Sequence, residues 1–101
     1  MKVNVGKVDA DNILAIEIEG SIDTVTAQDF EKQVSEAIND SVKKLVLDFA
    51  KVEYVSSAGL RAILGLNSQM EDQGEMFIKN INESVRDVFE MTGFDELLNL
   101  E

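Results

Sequence analysis

The sequence predicts an α/β fold: one domain over residues 1–101, with a mixed sheet of four to five strands, an N-terminal antiparallel hairpin and helices packed against the sheet. Two observations predict it. Segments with an apolar residue at every second position alternate with segments at helical spacing, in the order β-β-α-β-α-β-α-(β). A chain of 101 residues also has room for only one hydrophobic core.

The hairpin is predicted from two alternating segments at the N-terminus. Val3 and Val5 alternate with polar residues, and residues 13–19 alternate in the same way over a longer stretch. Residues 9–12, Asp-Ala-Asp-Asn, form a turn-forming cluster between them. Gly20 is expected to end the second strand.

The next two elements are a helix and a central strand. Thr24 and Thr26 offer candidate N-cap hydroxyls, and apolar residues then recur at helical spacing to about residue 38. The nearly continuous apolar run KLVLDF, residues 44–49, predicts a strand covered on both faces. Residues 53–55 are expected to form a separate short extended segment.

The second helix is predicted to begin at the serine pair of residues 56 and 57. Its apolar face is expected to consist of residues recurring at helical spacing, with Ala58 and Ala62 as small packing neighbours. These face residues are Leu60, Ile63, Leu64, Asn67 and Met70.

The C-terminal third of the chain predicts a strand, a helix and a short last element. Residues 76–78 are a short apolar run between polar ends. Ser84 is a candidate cap for the third helix, and Gly93 is placed to terminate it. Residues 97–100 are expected to form a strand or a helical turn.

Composition and motifs exclude most enzyme classes. The chain contains no Cys and no His, which excludes disulfides, thiolate nucleophiles, Cys/His zinc sites and histidine acid–base catalysis. Neither a phosphate-binding P-loop, nor a dinucleotide-binding glycine motif, nor a GxSxG serine motif occurs. The sequence therefore predicts a protein that is not an enzyme, with no catalytic residue, metal or cofactor.

The charge limits the expected partners. The formal net charge is -11, and such a surface repels nucleic acids and anionic membranes. A basic patch on another protein is its electrostatic complement, although acidity also serves simply to keep a small protein soluble. Since neither a signal peptide nor a membrane-spanning run is present, we expect a cytoplasmic protein without membrane insertion.

One segment, YVSSAGLRAIL at residues 54–64, places two hydroxyls where a strand meets a helix. The unpaired N–H groups and the dipole of a helix N-terminus stabilise an added phosphate. Ser57 is therefore well placed for phosphorylation. From the residues alone, a plain alternative is that Ser56 is an N-cap and Ser57 an inert residue of the first turn.

The same segment resembles the signature of the STAS domain, the family of the anti-sigma factor antagonists. The matching residues are Ser56-Ser57-Ala58-Gly59-Leu60. The turn Gly20-Ser21-Ile22-Asp23, the helix at 26–34, the strand at 43–57 and the segment at 85–98 also resemble that family in order and spacing.

The resemblance implies a binding module in a partner switch. The unphosphorylated antagonist binds an anti-sigma factor, a serine kinase of the histidine-kinase-like ATPase fold, and thereby releases a sigma factor. Phosphorylation of Ser57 switches binding off, and a PP2C-type phosphatase restores it. Many members carry Asp where this chain has Ser56. The residues expected to bind the partner are Asp23, Ser56, Ser57, Ala58, Gly59, Leu60 and Arg61.

Two alternatives and one further expectation accompany this interpretation. The chain could be a STAS subunit that is not phosphorylated, in a lipid-transport ABC complex or a stressosome-like scaffold. Asp23 and Asp48 could hold a metal in an enzyme, although solvated or capping carboxylates are the more ordinary interpretation. The chain ends at Glu101, before a further helix that many members carry, so that self-association is also an expectation.

Overall fold

A computed structural model describes residues 1–101 and confirms the predicted fold class and element order. The strands are β1 (Lys2–Val5), β2 (Ile13–Ile22), β3 (Lys44–Val55), β4 (Glu75–Lys79) and β5 (Asn99–Leu100). The helices are α1 (Ala27–Ala37), α2 (Ser57–Glu71) and α3 (Glu83–Thr92), followed by a 3-10 turn at Phe94–Glu96. The predicted last element, residues 97–100, contains the short strand β5, and the 3-10 turn lies just before it.

The five strands form one mixed sheet in the order β1-β2-β3-β4-β5. β1 is antiparallel to β2, and all later neighbours are parallel. Parallel crossovers are right-handed, and here each one steps in the same direction across the sheet. All three helices therefore lie on one face, and we call the other the open face of the sheet.

The burial of β3 shows the same one-sided covering. Leu45, Leu47 and Phe49 are completely buried, whereas the alternate residues Val46 and Asp48 are only half-buried. The expectation that this strand is covered on both faces is therefore wrong, because no crossover helix lies on the open side. The two extended segments predicted here are one strand of 12 residues.

The second strand does not end at Gly20, as the sequence suggested, but continues to Ile22. Gly20 has a φ of 99°, a backbone conformation that glycine adopts at no steric cost. The register against β3 shifts between Gly20 and Ser21, so the glycine permits an irregularity within the strand. The extension brings Ile22 beside Val55, the last residue of β3.

The third helix is capped by a different residue from the one predicted. The Asn82 side chain accepts a hydrogen bond from the Val85 N–H at 2.8 Å, and Ser84 lies exposed inside the helix. Gly93 ends the helix in the left-handed conformation, with a φ of 76°, as expected from the sequence.

The core consists only of apolar side chains and contains no buried polar residue. The α2 contribution differs slightly from the prediction, because Leu66 is buried while Leu64 and Asn67 lie at the margin. None of the helices is both long enough and apolar enough to cross a membrane.

Candidate functional site

The first turn of α2 begins where the two central parallel strands end side by side. Ile22 pairs with Val55 in the sheet, and the Ser56 N–H donates to the Ile22 carbonyl at 2.9 Å. The serine pair of the sequence motif therefore lies beside the turn that contains Asp23. The sequence motif and the Asp23 turn, which the sequence related only through their order along the chain, therefore lie at the same edge of the sheet.

Ser56 and Ser57 have different positions in this turn. Ser56 is the N-cap, and its Oγ accepts a hydrogen bond from the Gly59 N–H at 3.2 Å. Ser57 is the first residue of the helix, and its side chain is exposed. The N–H groups of Ser57 and Ala58 have no acceptor within the chain. The Ser57 hydroxyl is accessible, and two free donors of the helix N-terminus lie in the same turn.

Gly59 and Leu60, two of the residues expected to bind the partner, are buried in the chain. A Cβ on Gly59 would lie 2.5 Å from the Ile22 carbonyl oxygen and 2.9 Å from the Val55 side chain. Only glycine therefore allows α2 to approach the strand ends so closely. Leu60 is 2% exposed and packs in the core. Both residues position the motif, and its exposed surface consists of other side chains.

Asp23 organises the turn between β2 and α1. Its Oδ1 accepts hydrogen bonds from the N–H groups of Val25 at 2.9 Å and Thr26 at 3.0 Å. Thr26, a predicted cap, is the N-cap residue of α1, but its hydroxyl makes no cap hydrogen bond and donates instead to the Ser21 carbonyl at 2.7 Å. The Asp23 carboxylate closes the turn that precedes the helix, because it accepts both of these N–H groups at once.

The charge of Asp23 is also stabilised by this arrangement. The Thr26 N–H hydrogen bond is the largest influence on the pKa of Asp23, and partial desolvation opposes it. The Val25 N–H and the Thr26 hydroxyl act in the same direction as the first bond, and together they lower the pKa. Asp23 is therefore a fixed anion at neutral pH.

A shallow groove of about 250 Å³ runs beside the motif, between α1 and α2. Small residues form its floor, and polar side chains, including Glu31 and the exposed Arg61, form its rim. Arg61 makes no salt bridge within the chain. The lining residues are Thr24, Ala27, Gln28, Glu31, Ala58, Arg61 and Ala62.

The sequence did not identify Val25 or Glu31 as parts of this region. Val25 is 88% exposed in the Asp23 turn. Glu31 lies across Gly65 of α2, since a Cβ added at this glycine would meet the carboxylate. No feature of the sequence indicates that a valine between two threonines is exposed. Glu31 was expected only to lie on the polar face of α1.

The structure does not bring Asp23 and Asp48 together. Asp23 follows the end of β2, while Asp48 lies seven residues before the end of β3, a separation on the order of 20 Å along the strand. Asp48 instead accepts hydrogen bonds from the Ala50 N–H and from Asn80. No group of three or more acidic side chains that could hold a metal ion is present. The metal-enzyme alternative loses its proposed pair of ligands.

Comparison with known proteins identifies the family of this chain. The family model of the STAS domain matches residues 4–101. BtrV of Bordetella bronchiseptica, a protein assigned as an anti-sigma factor antagonist, is 32% identical over 95 residues, which cover 93% of this chain and 80% of BtrV.

Several solved structures with the same fold are anti-sigma factor antagonists. An anti-sigma factor antagonist from Mycobacterium paratuberculosis superposes with a TM-score of 0.82 at 24% identity, over 98% of this chain and 85% of the other. Unphosphorylated SpoIIAA, also an anti-sigma factor antagonist, gives a TM-score of 0.80 at 20% identity, over 99% of this chain and 88% of the other. Phosphorylated SpoIIAA of Bacillus gives 0.72 at 20% identity, over 99% and 91%. At these identities the structural comparisons show the fold.

Proposed function

Because this chain belongs to the STAS domain family, we propose that it is an anti-sigma factor antagonist controlled by phosphorylation of Ser57. The unphosphorylated form binds an anti-sigma factor that is also a serine kinase, and this binding releases a sigma factor. A phosphate on Ser57 prevents the binding, and a PP2C-type phosphatase removes it. The exchange takes place in the bacterial cytoplasm.

The observation that carries the proposal is the position of Ser57. Its hydroxyl is exposed on the first residue of a helix, where two N–H groups lack acceptors. A phosphate at this point would be stabilised by the helix dipole and by hydrogen bonds from these N–H groups, and no core side chain would have to move. Phosphorylation would therefore change the surface while leaving the fold intact. That SpoIIAA is known in both forms supports a switch of this kind.

The proposed contact surface surrounds Ser57. It comprises the Asp23 turn with the exposed Val25, the serine pair, Ala58 and Arg61, and it extends into the groove between α1 and α2. Gly59 and Leu60 hold these groups in place from below. Arg61 makes no salt bridge in a chain of net charge -11, and it is free to pair with a carboxylate of the kinase.

The chain acts in phosphorylation as a substrate and supplies no catalytic group. The Ser57 oxygen forms a bond to the γ-phosphorus of ATP, the bond from that phosphorus to ADP breaks, and the kinase takes the hydroxyl proton. The product carries a dianion in the middle of the contact surface. Desolvating this charge on binding would cost a few kcal/mol, unless the kinase offers a matching cation there.

The first experiment captures partners of the intact chain from source-cell lysate supplemented with ATP and magnesium, and maps phosphate on the recovered protein by mass spectrometry. We expect an ATPase-fold serine kinase to be recovered and the phosphate to be on Ser57. Ser57→Ala should keep the partner and carry no phosphate, and Ser57→Asp should bind more weakly. Ser84→Ala, which removes another exposed serine near a helix start, is the matched control and should behave as wild type.

Two results would contradict the proposal. One is recovery of transporter subunits with Ser57 unmodified, which would favour the scaffold or lipid-transport alternative. The other is phosphate on a different serine in both the wild type and Ser57→Ala.

A further inference from the structure

The open face of the sheet carries a row of apolar side chains across its middle. Ala15 pairs with Val46 in the β2–β3 register, and Val46 pairs with Phe77 in the β3–β4 register. No helix covers this row. Val46 and Phe77 are half-buried by their neighbours within the sheet, and Ala15 is exposed. We call these three residues the open-face row.

Two pairs of opposite charges flank the open-face row. Lys44 pairs with Glu75 on one side of it, and Asp48 pairs with Lys79 on the other. The order of the signs along β3, positive and then negative, is therefore reversed along β4. The four charges sum to zero in a chain whose net charge is -11. Glu17, which lies beside Asp48 on β2, is paired with Lys51.

None of these four charges forms a salt bridge within the chain, where the ion pairs are those of Lys51 with Glu17 and Glu19. The Lys44 ammonium lies 4.5 Å from the centre of the Phe77 ring, so it remains over the open face. Oδ1 of Asp48 accepts hydrogen bonds from the Ala50 N–H and from Asn80. Its other carboxylate oxygen, and the charged groups of Glu75 and Lys79, are thus available to groups outside the molecule.

From this pattern we propose that the open face binds a second copy of the chain in a symmetric dimer. A two-fold axis along the open-face row would lay each β3 antiparallel on the other β3, and each β4 on the other β4. Lys44 then meets Asp48 of the second copy, and Glu75 meets Lys79 of the second copy. The face is complementary to itself, as a two-fold interface requires.

The charge distribution favours a second copy as the occupant. Two molecules with a net charge of -11 repel each other through most of their surfaces. The neutral patch around the open-face row allows close approach without that repulsion. The face measures about 20 by 25 Å from the strand spacing and rise, and so offers about 500 Å². This is less than the roughly 800 Å² per partner of a typical stable interface, so the dimer should be weak.

The dimer leaves the proposed kinase surface free. Ser57 lies at the carboxyl ends of the strands, on the first turn of a helix that covers the opposite face. The proposal is therefore independent of the function proposed above, and either can fail alone.

Sedimentation equilibrium of the full chain, from about 10 μM to about 1 mM, tests the proposal. Wild type should pass from monomer to dimer with rising concentration. Lys79→Glu places like charges together twice in each dimer, and should raise the dissociation constant about ten-fold. The double variant Glu75→Lys with Lys79→Glu reverses the pair and should restore dimerisation. Both variants place a like charge beside Asp48 within the sheet, and the double variant places another beside Lys44. Their unfolding free energies are therefore measured by urea denaturation, and dimerisation is compared between folded proteins.

Lys32→Glu is the matched control, because it changes the net charge equally from an exposed position on α1. It should dimerise nearly as wild type does. The proposal is overturned if wild type stays monomeric over the whole range, if Lys79→Glu and Lys32→Glu behave alike, or if the double variant does not recover.

Discussion

Ser56 and Ser57 show that a shift of one position along the chain changes the structural role of a serine in this molecule. They are neighbours with the same side chain, yet one hydroxyl accepts the Gly59 N–H and the other is exposed. Composition could not assign these positions, because either serine can begin a helix. The family resemblance predicted Ser57 as the acceptor of phosphate. The structure adds a physical reason to prefer it, since Ser56 already uses its oxygen as the N-cap.

Gly59 is a second position where one residue fixes the site. In a helix, Gly→Ala ordinarily stabilises by about 1 kcal/mol. Here the added Cβ would lie 2.5 Å from the Ile22 carbonyl oxygen, which belongs to a rigid strand end. We expect Gly59→Ala to lower the free energy of unfolding by about 1–3 kcal/mol, measured by urea denaturation.

Ser68→Ala is the control for this prediction, because Ser68 is an exposed residue of the same helix. It should change the stability by less than about 0.5 kcal/mol. A stabilised Gly59→Ala protein would mean that α2 can move away from β2 at little cost. It would contradict the claim that only glycine fits at this position.

At the scale of elements, the periodicity of apolar residues located every strand and helix. It was less informative about where each element ends and about which faces of the sheet the helices cover. Gly20 looked like a terminator, and only the pairing with β3 shows that the strand continues through it. The run at residues 44–49 looked buried on both faces because Val46 is apolar. Its burial depends on the side of the sheet that the crossovers take, and this is a property of the topology.

The N-cap of α3 gives a test at this scale. Asn82 accepts the Val85 N–H at 2.8 Å and donates through Nδ2 to the Val52 carbonyl at 2.9 Å, so that it caps the helix and attaches it to β3. Asn82→Ala loses both bonds, and we expect a loss of about 1–2 kcal/mol in unfolding free energy by urea denaturation. Ser84→Ala, the cap suggested by sequence, should be neutral. Equal effects of the two substitutions would contradict this assignment.

At the scale of the whole molecule, one sheet separates two surfaces. The helical side and the strand ends carry Ser57, the Asp23 turn and the groove, while the open face carries the balanced charges around the open-face row. The sequence predicted an acidic protein with a motif at a strand–helix junction. It could not predict the charge pattern of the open face, because this depends on the register of β3 against β4.

The central claim is that a phosphate on Ser57 switches partner binding off. Its most direct test is isothermal titration calorimetry of the purified kinase with two forms of the chain, one unmodified and one verified by mass spectrometry to be phosphorylated on Ser57. The account predicts binding about 100-fold weaker for the phosphorylated form, from the cost of desolvating the dianion. Equal or tighter binding of the phosphorylated form would contradict it.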